Sequence, residues 1–142
     1  MADKKIEVRV IAPKPATDKS TYKYKSQVDM VIMRCTNGDL GVLPGRLPCT
    51  MVLDSGIMRI YDEDKESYMA VKGGVANVSN DVVTILSESA LWAEDINKET
   101  ANESIVKFEE SLSKASDELD RANFMNELKF AKVQLEVLNS GK

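Results

Sequence analysis

The chain has 142 residues, 43% hydrophobic and 30% charged, which is typical of a folded globular protein and unlike a disordered chain. The net charge is −4 and is shared about equally between residues 1–96 and 97–142, which argues against nucleic acid as a partner. Histidine is absent and no apolar run reaches 18 residues, which argues against a His-based catalytic triad, a zinc site and a membrane span.

Residues 6 to about 90 show the pattern of short β-strands separated by turns. The segment Ile6–Ile11 alternates apolar with polar side chains and then meets Pro13 and Pro15, which stop it. Residues 24–36 are predicted to form one half-buried strand with a fuller apolar centre. Turn signals recur about every 8 to 12 residues, which predicts an antiparallel sandwich or barrel.

Three short segments separate the later strands. Asp54-Ser55-Gly56 lies between two strand-like runs and has hairpin turn chemistry. Gly73-Gly74 is predicted to form a tight turn or a bulge. Ser79-Asn80-Asp81 is predicted to be the turn before a strand at residues 82–86.

The C-terminal part of the sequence has a helical period, without proline or glycine from residue 97 to residue 140. Its apolar residues recur at steps of three and four in two sets: Ala101, Ile105, Phe108, Leu112, Ala115 and Leu119, then Phe124, Leu128, Ala131, Leu135 and Leu138. A step of five separates the sets, and Ser116 or Asp117 is a good N-cap just before it. We therefore predict two helices, at roughly 97–114 and 117–139, each with one thin apolar stripe that needs a partner.

The predicted domains are a β-sandwich at residues 1–90, a linker at 91–96 and a helical hairpin at 97–142. Trp92 in the linker is expected to pin the hairpin to the sandwich, although an exposed interfacial aromatic fits the sequence as well. Two functional interpretations of the hairpin remain open at this point. It is either fixed permanently to the sandwich or an arm that exchanges one partner for another.

The segment GDLGVLPGRLP, residues 38–48, contains three glycines and two prolines in eleven residues. It is not a phosphate-binding loop, because no Gly-Lys-Ser/Thr ends it and no helical pattern follows. A structural loop between strands is the simplest interpretation. A rigid contact surface is the alternative, with Asp39 and Arg46 as its polar groups, because little entropy is lost when such a loop binds.

Three motifs in this order resemble the epsilon subunits of F-type ATP synthases, of the bacterial type. GDLGVLPGRLP is similar to the family's signature loop, and VKGGVANVSNDVVTIL is similar to its Gly-Gly turn and last sandwich strands. AEDINKETA stands in place of the family's linker and first helical turn. The resemblance covers essentially the whole chain.

This resemblance implies a ten-stranded sandwich that binds the gamma subunit and the membrane ring of c subunits. It also implies a hairpin that folds on the sandwich or extends along gamma to the alpha/beta catalytic head and blocks ATP hydrolysis. The implied c-ring contact residues are Gly38, Asp39, Gly41, Pro44, Gly45 and Arg46, where Arg46 replaces the family's usual histidine. The implied inhibitory residues are Arg121, Phe124, Leu128, Lys129 and Lys132. A stalk joint with a permanently folded, non-inhibitory hairpin is the alternative.

Some bacterial relatives bind ATP through an Ile/Leu-Asp-x-x-Arg-Ala motif in the folded hairpin. The matching positions here are Ile96, Asn97, Thr100 and Ala101, so the acidic residue and the cation are both lost. We therefore expect weak or no ATP binding and no cofactor, metal or catalytic residue.

The expected location follows from the same observations. Two cysteines without a spacing pattern favour a reducing compartment, and the first residues lack the apolar core of a signal peptide. Together with these features, the resemblance implies a location at the cytoplasmic face of the cell membrane, with membrane contact only through the complex.

Overall fold

The computed structural model describes residues 4–14 and 16–140, so that Pro15, predicted to help stop the first strand, lies outside the described residues. A sandwich of ten strands followed by two helices confirms the predicted fold class. The strands are β1 (Ile6–Ile11), β2 (Tyr24–Val28), β3 (Met30–Cys35), β4 (Gly38–Val42), β5 (Cys49–Leu53), β6 (Gly56–Asp62), β7 (Lys65–Val71), β8 (Gly74–Ser79), β9 (Val82–Leu86) and β10 (Ala90–Trp92). A 3-10 turn at Ala93–Asp95 leads into α1 (Lys98–Lys114) and α2 (Glu118–Ser140).

The strands pair in the order β10-β7-β6-β3-β5-β8-β9-β1-β2, with β4 added on β3. Every pairing is antiparallel except that of β1 with β9. Alternate side chains point into one core, since a strand has a period of two. The largest fully buried side chains of this core are Ile6, Met33, Met58, Met69 and Ile85. The sheet continues two residues past the predicted sandwich boundary at residue 90, because β10 pairs with β7.

The prediction of one strand at residues 24–36 is wrong, because the segment bends at Asp29 and forms β2 and β3. The two strands have different neighbours: β2 pairs with β1, whereas β3 pairs with β4, β5 and β6. At the bend the Asp29 amide donates to the Tyr61 carbonyl at 2.9 Å, so the backbone stays satisfied. The bend was not predicted from the sequence, because apolar residues on both sides of it look like one continuous strand.

The predicted hairpin turn at Asp54-Ser55-Gly56 is also wrong, because the strands on either side do not pair with each other. β5 pairs with β8 and β6 pairs with β7, so the segment carries the chain from one part of the sheet to another. Glycine is needed at position 56 for space: a Cβ there would lie 2.7 Å from the Arg34 Cβ. The glycine therefore indicates close packing at a crossover and not a hairpin.

Gly73-Gly74 makes a second crossover of this kind, a tight turn between β7 and β8. Both glycines have positive φ, 59° and 121°. A Cβ on Gly74 would lie 2.1 Å from the carbonyl oxygen of Leu86. The predicted turn before β9 is confirmed, since Asn80 and Asp81 have φ of 53° and 62° and join the paired strands β8 and β9.

Gly74→Ala should destabilise the sandwich, because the new Cβ would meet backbone atoms that cannot rotate away. Gly38→Ala is a matched control: its φ of 119° is nearly the same, but nothing lies within 4 Å of the added Cβ. We expect a loss of about 1 kcal/mol for Gly38→Ala and about 3 kcal/mol for Gly74→Ala in urea unfolding. Equal losses would contradict the close approach.

Candidate functional site

The signature segment divides into a strand and a loop. Gly38, Asp39 and Gly41 belong to β4, which forms a two-residue hairpin with β3. Residues 43–48 then form a loop that presents apolar side chains to the outside: Leu43 is 56% exposed and Leu47 is 81% exposed. These leucines were not among the predicted contact residues. Their position directly before Pro44 and Pro48 was the available signal, because a side chain beside a proline in such a loop seldom belongs to a central strand.

A hydrogen bond anchors this loop to the turn between β8 and β9. The Gly45 amide donates to the Asp81 carboxylate at 2.7 Å, and Gly45 has a φ of 88° that favours glycine. Pro44 and Pro48 restrict φ on either side. The loop is therefore held in one shape, with the exposed Arg46 beside Leu47 at its outer edge.

Asp39 does not join Arg46 in one group, although the sequence placed both in one contact loop. Asp39 lies opposite Arg34 in the β3–β4 register and accepts a hydrogen bond from the Arg34 guanidinium at 2.6 Å. It lines a cavity against α2 instead. Arg46 lies beyond the end of β4, beside Leu47 and Pro48.

An apolar row crosses the outer face of the sheet. Val52 pairs with Val75 and Val75 pairs with Leu86, and all three side chains are exposed. Exposed apolar groups that adjoin in this way often mark a contact surface. The sequence analysis missed this row, because its three residues lie on separate strands and only the pairing register brings them together.

The four residues of the degraded ATP motif have structural contacts around the start of α1. The Asn97 side-chain oxygen accepts a hydrogen bond from the Thr100 amide at 3.0 Å, which caps the helix. Ala101 is buried, and Ile96 packs against a second apolar cluster under α2. Just before them, Trp92 packs edge-on to Tyr24 with ring centroids 5.2 Å apart.

That second cluster, which we call the docking core, holds α2 on the outer face of β6 and β7. Its buried members are Ala70, Phe130, Val133 and Val137. The prediction of one thin apolar stripe per helix is therefore wrong for α2. The stripe of Phe124 and Leu128 is present, and the ring centroids of Phe124 and Phe108 of α1 lie 6.2 Å apart. A second apolar face of α2, however, packs on the sandwich. The spacing of Phe130, Val133 and Val137, three and then four, was the missed signal.

Two ion pairs flank the docking core. The Lys129 ammonium donates to Asp54 of the first crossover, and Lys72 donates to Glu127 of α2. The hydrogen bond from Lys129 holds the pKa of the Asp54 carboxyl below its usual value of 3.8. Lys129, predicted to face another subunit, is thus occupied by the sandwich while α2 is docked.

The other predicted basic residues of the arm lie apart from each other. Arg121 donates to the carbonyls of Leu112 and Ala115 at 3.2 and 3.3 Å, so it satisfies the end of α1. The Asp117 side chain accepts from the Leu119 amide at 3.2 Å and caps α2, so the second of the two predicted caps is the one that forms. Lys132 is exposed on α2 beside the cavity that Asp39 lines.

Residues 4–14 and 16–140 contain no cluster of three or more His, Cys, Asp or Glu side chains arranged for a metal ion. No helix in the same ranges has the length and apolar character needed to cross a membrane. The described residues do present an anchored apolar loop, an apolar sheet face and a docked helix. These features are typical of a protein that binds other proteins.

Comparison with known proteins identifies the family. The beta-sandwich domain of the ATP synthase Delta/Epsilon chain matches residues 6–93. The chloroplastic ATP synthase epsilon chain of Psilotum nudum is 32% identical over 94% of this chain and 96% of its own length. The ATP synthase epsilon chain of Bacillus subtilis is 34% identical over 82% of this chain and 84% of its own. The chain belongs to the ATP synthase epsilon chain family, which confirms the resemblance found in the sequence.

Solved structures support the fold. A chain of the Euglena gracilis mitochondrial ATP synthase, in its OSCP/F1/c-ring assembly, superposes with a TM-score of 0.71 at 23% identity and covers 96% of this chain and 85% of its own length. A chain of the Tetrahymena thermophila mitochondrial ATP synthase central stalk and c ring gives 0.63 at 11% identity, over 97% and 99%. At these identities the likeness concerns the architecture of sandwich and helices.

The Asp54–Lys129 pair predicts a pH dependence of stability. Because the pKa of Asp54 is lowered in the folded chain, the pair stabilises above pH 3.8 and its contribution is lost as the pH falls below that value. Asp54→Asn should cost about 0.2–1 kcal/mol at pH 6, since both groups are partly exposed. In urea unfolding the difference from the parent chain should shrink steadily as the pH falls below 3.8. Asp64→Asn, an exposed carboxylate without an ion pair among the described residues, is the control, and a difference that does not shrink on acidification contradicts the assignment.

Proposed function

We propose that this chain is a non-catalytic, central-stalk subunit of a rotary ATP synthase with two functions. The sandwich joins the c ring to the gamma subunit, and the helical hairpin slows ATP hydrolysis when it reaches the alpha/beta head. In this proposal the chain lies at the cytoplasmic face of the membrane as a peripheral part of the complex. Family membership supports a place in the ATP synthase, and the two surfaces described above support the division of labour.

The anchored loop supports the joint function. A surface that transmits torque must keep its shape under load, and residues 43–48 are fixed by the Gly45–Asp81 hydrogen bond and by two prolines. Leu43 and Leu47 provide apolar contact area that costs little entropy to bind. The apolar row of Val52, Val75 and Leu86 gives the sandwich a second contact surface, on its outer sheet face. We assign the loop to the c ring and the row to gamma.

The docked position of α2 is the main observation that supports an inhibitory function of the hairpin. α2 is attached through one small apolar cluster and two ion pairs, and Lys129, a proposed inhibitory residue, is engaged by Asp54. Undocking would therefore expose the apolar face and release the cation together. Such an element is suited to exchange one partner for another, because its equilibrium depends on the difference between two interfaces. The same docking also fits a permanently folded hairpin, which is the second candidate function.

Two variants of the assembled enzyme, with opposite expected effects on the rate of ATP hydrolysis, distinguish an inhibitory hairpin from a permanently folded one. Removal of residues 97–142 should raise the rate of ATP hydrolysis, because nothing would reach the catalytic head. Val133→Asp should lower the rate below that of the parent enzyme, because a carboxylate in the docking core, where Val133 is 4% exposed, would undock α2 and favour extension. Steady-state hydrolysis by the purified complex is the measurement.

Met125→Asp is the matched control for this pair of variants, since it places the same charge on an exposed position of α2. It should leave the hydrolysis rate unchanged. If neither the truncation nor Val133→Asp changes the rate, the hairpin is not a brake and the structural joint is the correct function. Amide hydrogen exchange of the β-strands verifies that the sandwich remains folded in each variant.

Leu47→Asp tests the loop. A charge at the apolar edge of the loop should weaken the proposed c-ring contact, so that ATP-driven ion transport falls by about tenfold relative to hydrolysis if one contact of about 1.4 kcal/mol is lost. Val106→Asp, which places a charge on an exposed apolar position of α1, should leave the ratio unchanged. Equal transport in the parent and Leu47→Asp enzymes would remove the loop from the proposed joint.

A further inference from the structure

A cavity of about 180 Å³ lies between α2 and the sheet formed by β3, β4 and β6. This is well above the roughly 10–15 Å³ that one water molecule requires. Both structural units contribute walls, with Arg34 and Arg59 from the sandwich and Lys129 and Lys132 from α2. None of the residues of the degraded ATP motif lines it.

The lining has an excess of positive charge. Four cations surround the cavity, whereas Asp39 and Glu136 are its only carboxylates among the described residues. Arg34 is paired with Asp39, and Lys129 is paired with Asp54 just outside the lining. Arg59 and Lys132 have no ion pair within the part of the chain that the structure describes. Glu136 also has no ion pair among the described residues, so the lining of this partly open cavity keeps an excess of one positive charge, which favours an anion.

Ser55 adds a neutral hydrogen-bond donor to the same wall. The residue is buried, and its amide is already engaged by the Asp54 carboxylate at 2.8 Å. Its hydroxyl makes no hydrogen bond within the described ranges, yet it borders the cavity. No buried side-chain nitrogen or oxygen among the described residues lacks a partner, so this hydroxyl is open to solvent and free to donate to a ligand in the cavity. The cavity therefore offers a guanidinium, an ammonium and a hydroxyl from three separate elements.

We propose that this cavity binds a compact tetrahedral anion of the phosphate class, with inorganic phosphate as the ligand. The planar guanidinium of Arg59 suits two oxygens of a phosphate, Lys132 supplies a point charge, and the Ser55 hydroxyl donates to a further oxygen. The size and the mixed lining exclude a large apolar ligand.

A bound anion would also connect the two structural units. Arg59 belongs to β6 and Lys132 to α2, so an anion between them adds a contact that exists only while α2 is docked. Phosphate should therefore favour the docked arm by linkage. The proposed phosphate site depends only on the fold of this chain, whereas any effect of phosphate on ATP hydrolysis rests on the proposed function. The binding experiment uses the isolated full chain, so that a failure of phosphate binding is distinguishable from a failure of the proposed function.

Titration of the isotope-labelled chain with inorganic phosphate, followed by two-dimensional NMR, tests the site. At constant ionic strength in chloride, phosphate should shift the amide signals of Ser55, Gly56 and residues near Arg59 and Lys132. The double variant Arg59→Gln, Lys132→Gln should bind phosphate at least about tenfold more weakly, because two charge-assisted hydrogen bonds are lost. Lys107→Gln, an exposed lysine of α1 outside the cavity, should bind like the parent chain.

Two results would overturn the proposal. One is a set of shifts that chloride reproduces or that spreads evenly over all exposed lysines and arginines. The other is a double variant, shown to be folded by its NMR spectrum, that binds phosphate as the parent does. Amide exchange of residues 128–137 gives the second readout: it should slow in phosphate for the parent and not for the double variant. Binding without this slowing would contradict the bridge between α2 and the sandwich.

Discussion

The contact between α2 and the outer face of β6 and β7 determines most of the remaining arrangement. It depends on Ala70, a small and fully buried residue that lets the helix approach the sheet closely, and on Phe130, Val133 and Val137 above it. Lys129 reaches Asp54 only because the helix lies there, and the cationic cavity has its second wall only for the same reason. Loss of this one apolar contact would remove the ion pair, the cavity and the folded arm together.

The two crossovers explain why the sandwich can hold such a helix. Gly56 and Gly74 allow the backbone to pass against Arg34 and Leu86 at distances that any Cβ would forbid. The crossovers carry the chain between the two parts of the sheet without long loops. The outer face of β6 and β7 is therefore left uncovered for α2. Asp54, which pairs with α2, is the first residue of one crossover. The turn that organises the sheet therefore also provides a point of attachment for the arm.

Local side-chain patterns predicted both helices, most of the strands and a cap of α2 at Ser116 or Asp117, whereas β4 lies in a segment that was predicted to be a loop. The pairing of strands was not predictable in the same way: Asp54-Ser55-Gly56 has hairpin chemistry, but its glycine is required by packing on Arg34, a contact distant in sequence. Of the candidate site, the loop was found by its glycines and prolines, whereas its leucines were overlooked. The cavity was not predictable at all, since Arg34, Arg59 and Lys132 come from three elements that only the tertiary fold brings together.

The asymmetry between the two helices indicates how the arm would move. In α1 only Ala101 is buried, and the helix packs on α2 rather than on the sheets. The arm is therefore attached to the sandwich by α2, whose apolar contacts are worth about 1.5–3 kcal/mol for each fully buried side chain. The three buried side chains and the two partly exposed ion pairs all favour docking, so the isolated chain should keep the arm docked. Extension then requires a competing surface that accepts the same apolar face, which makes the proposed brake a property of the assembled complex rather than of this chain alone.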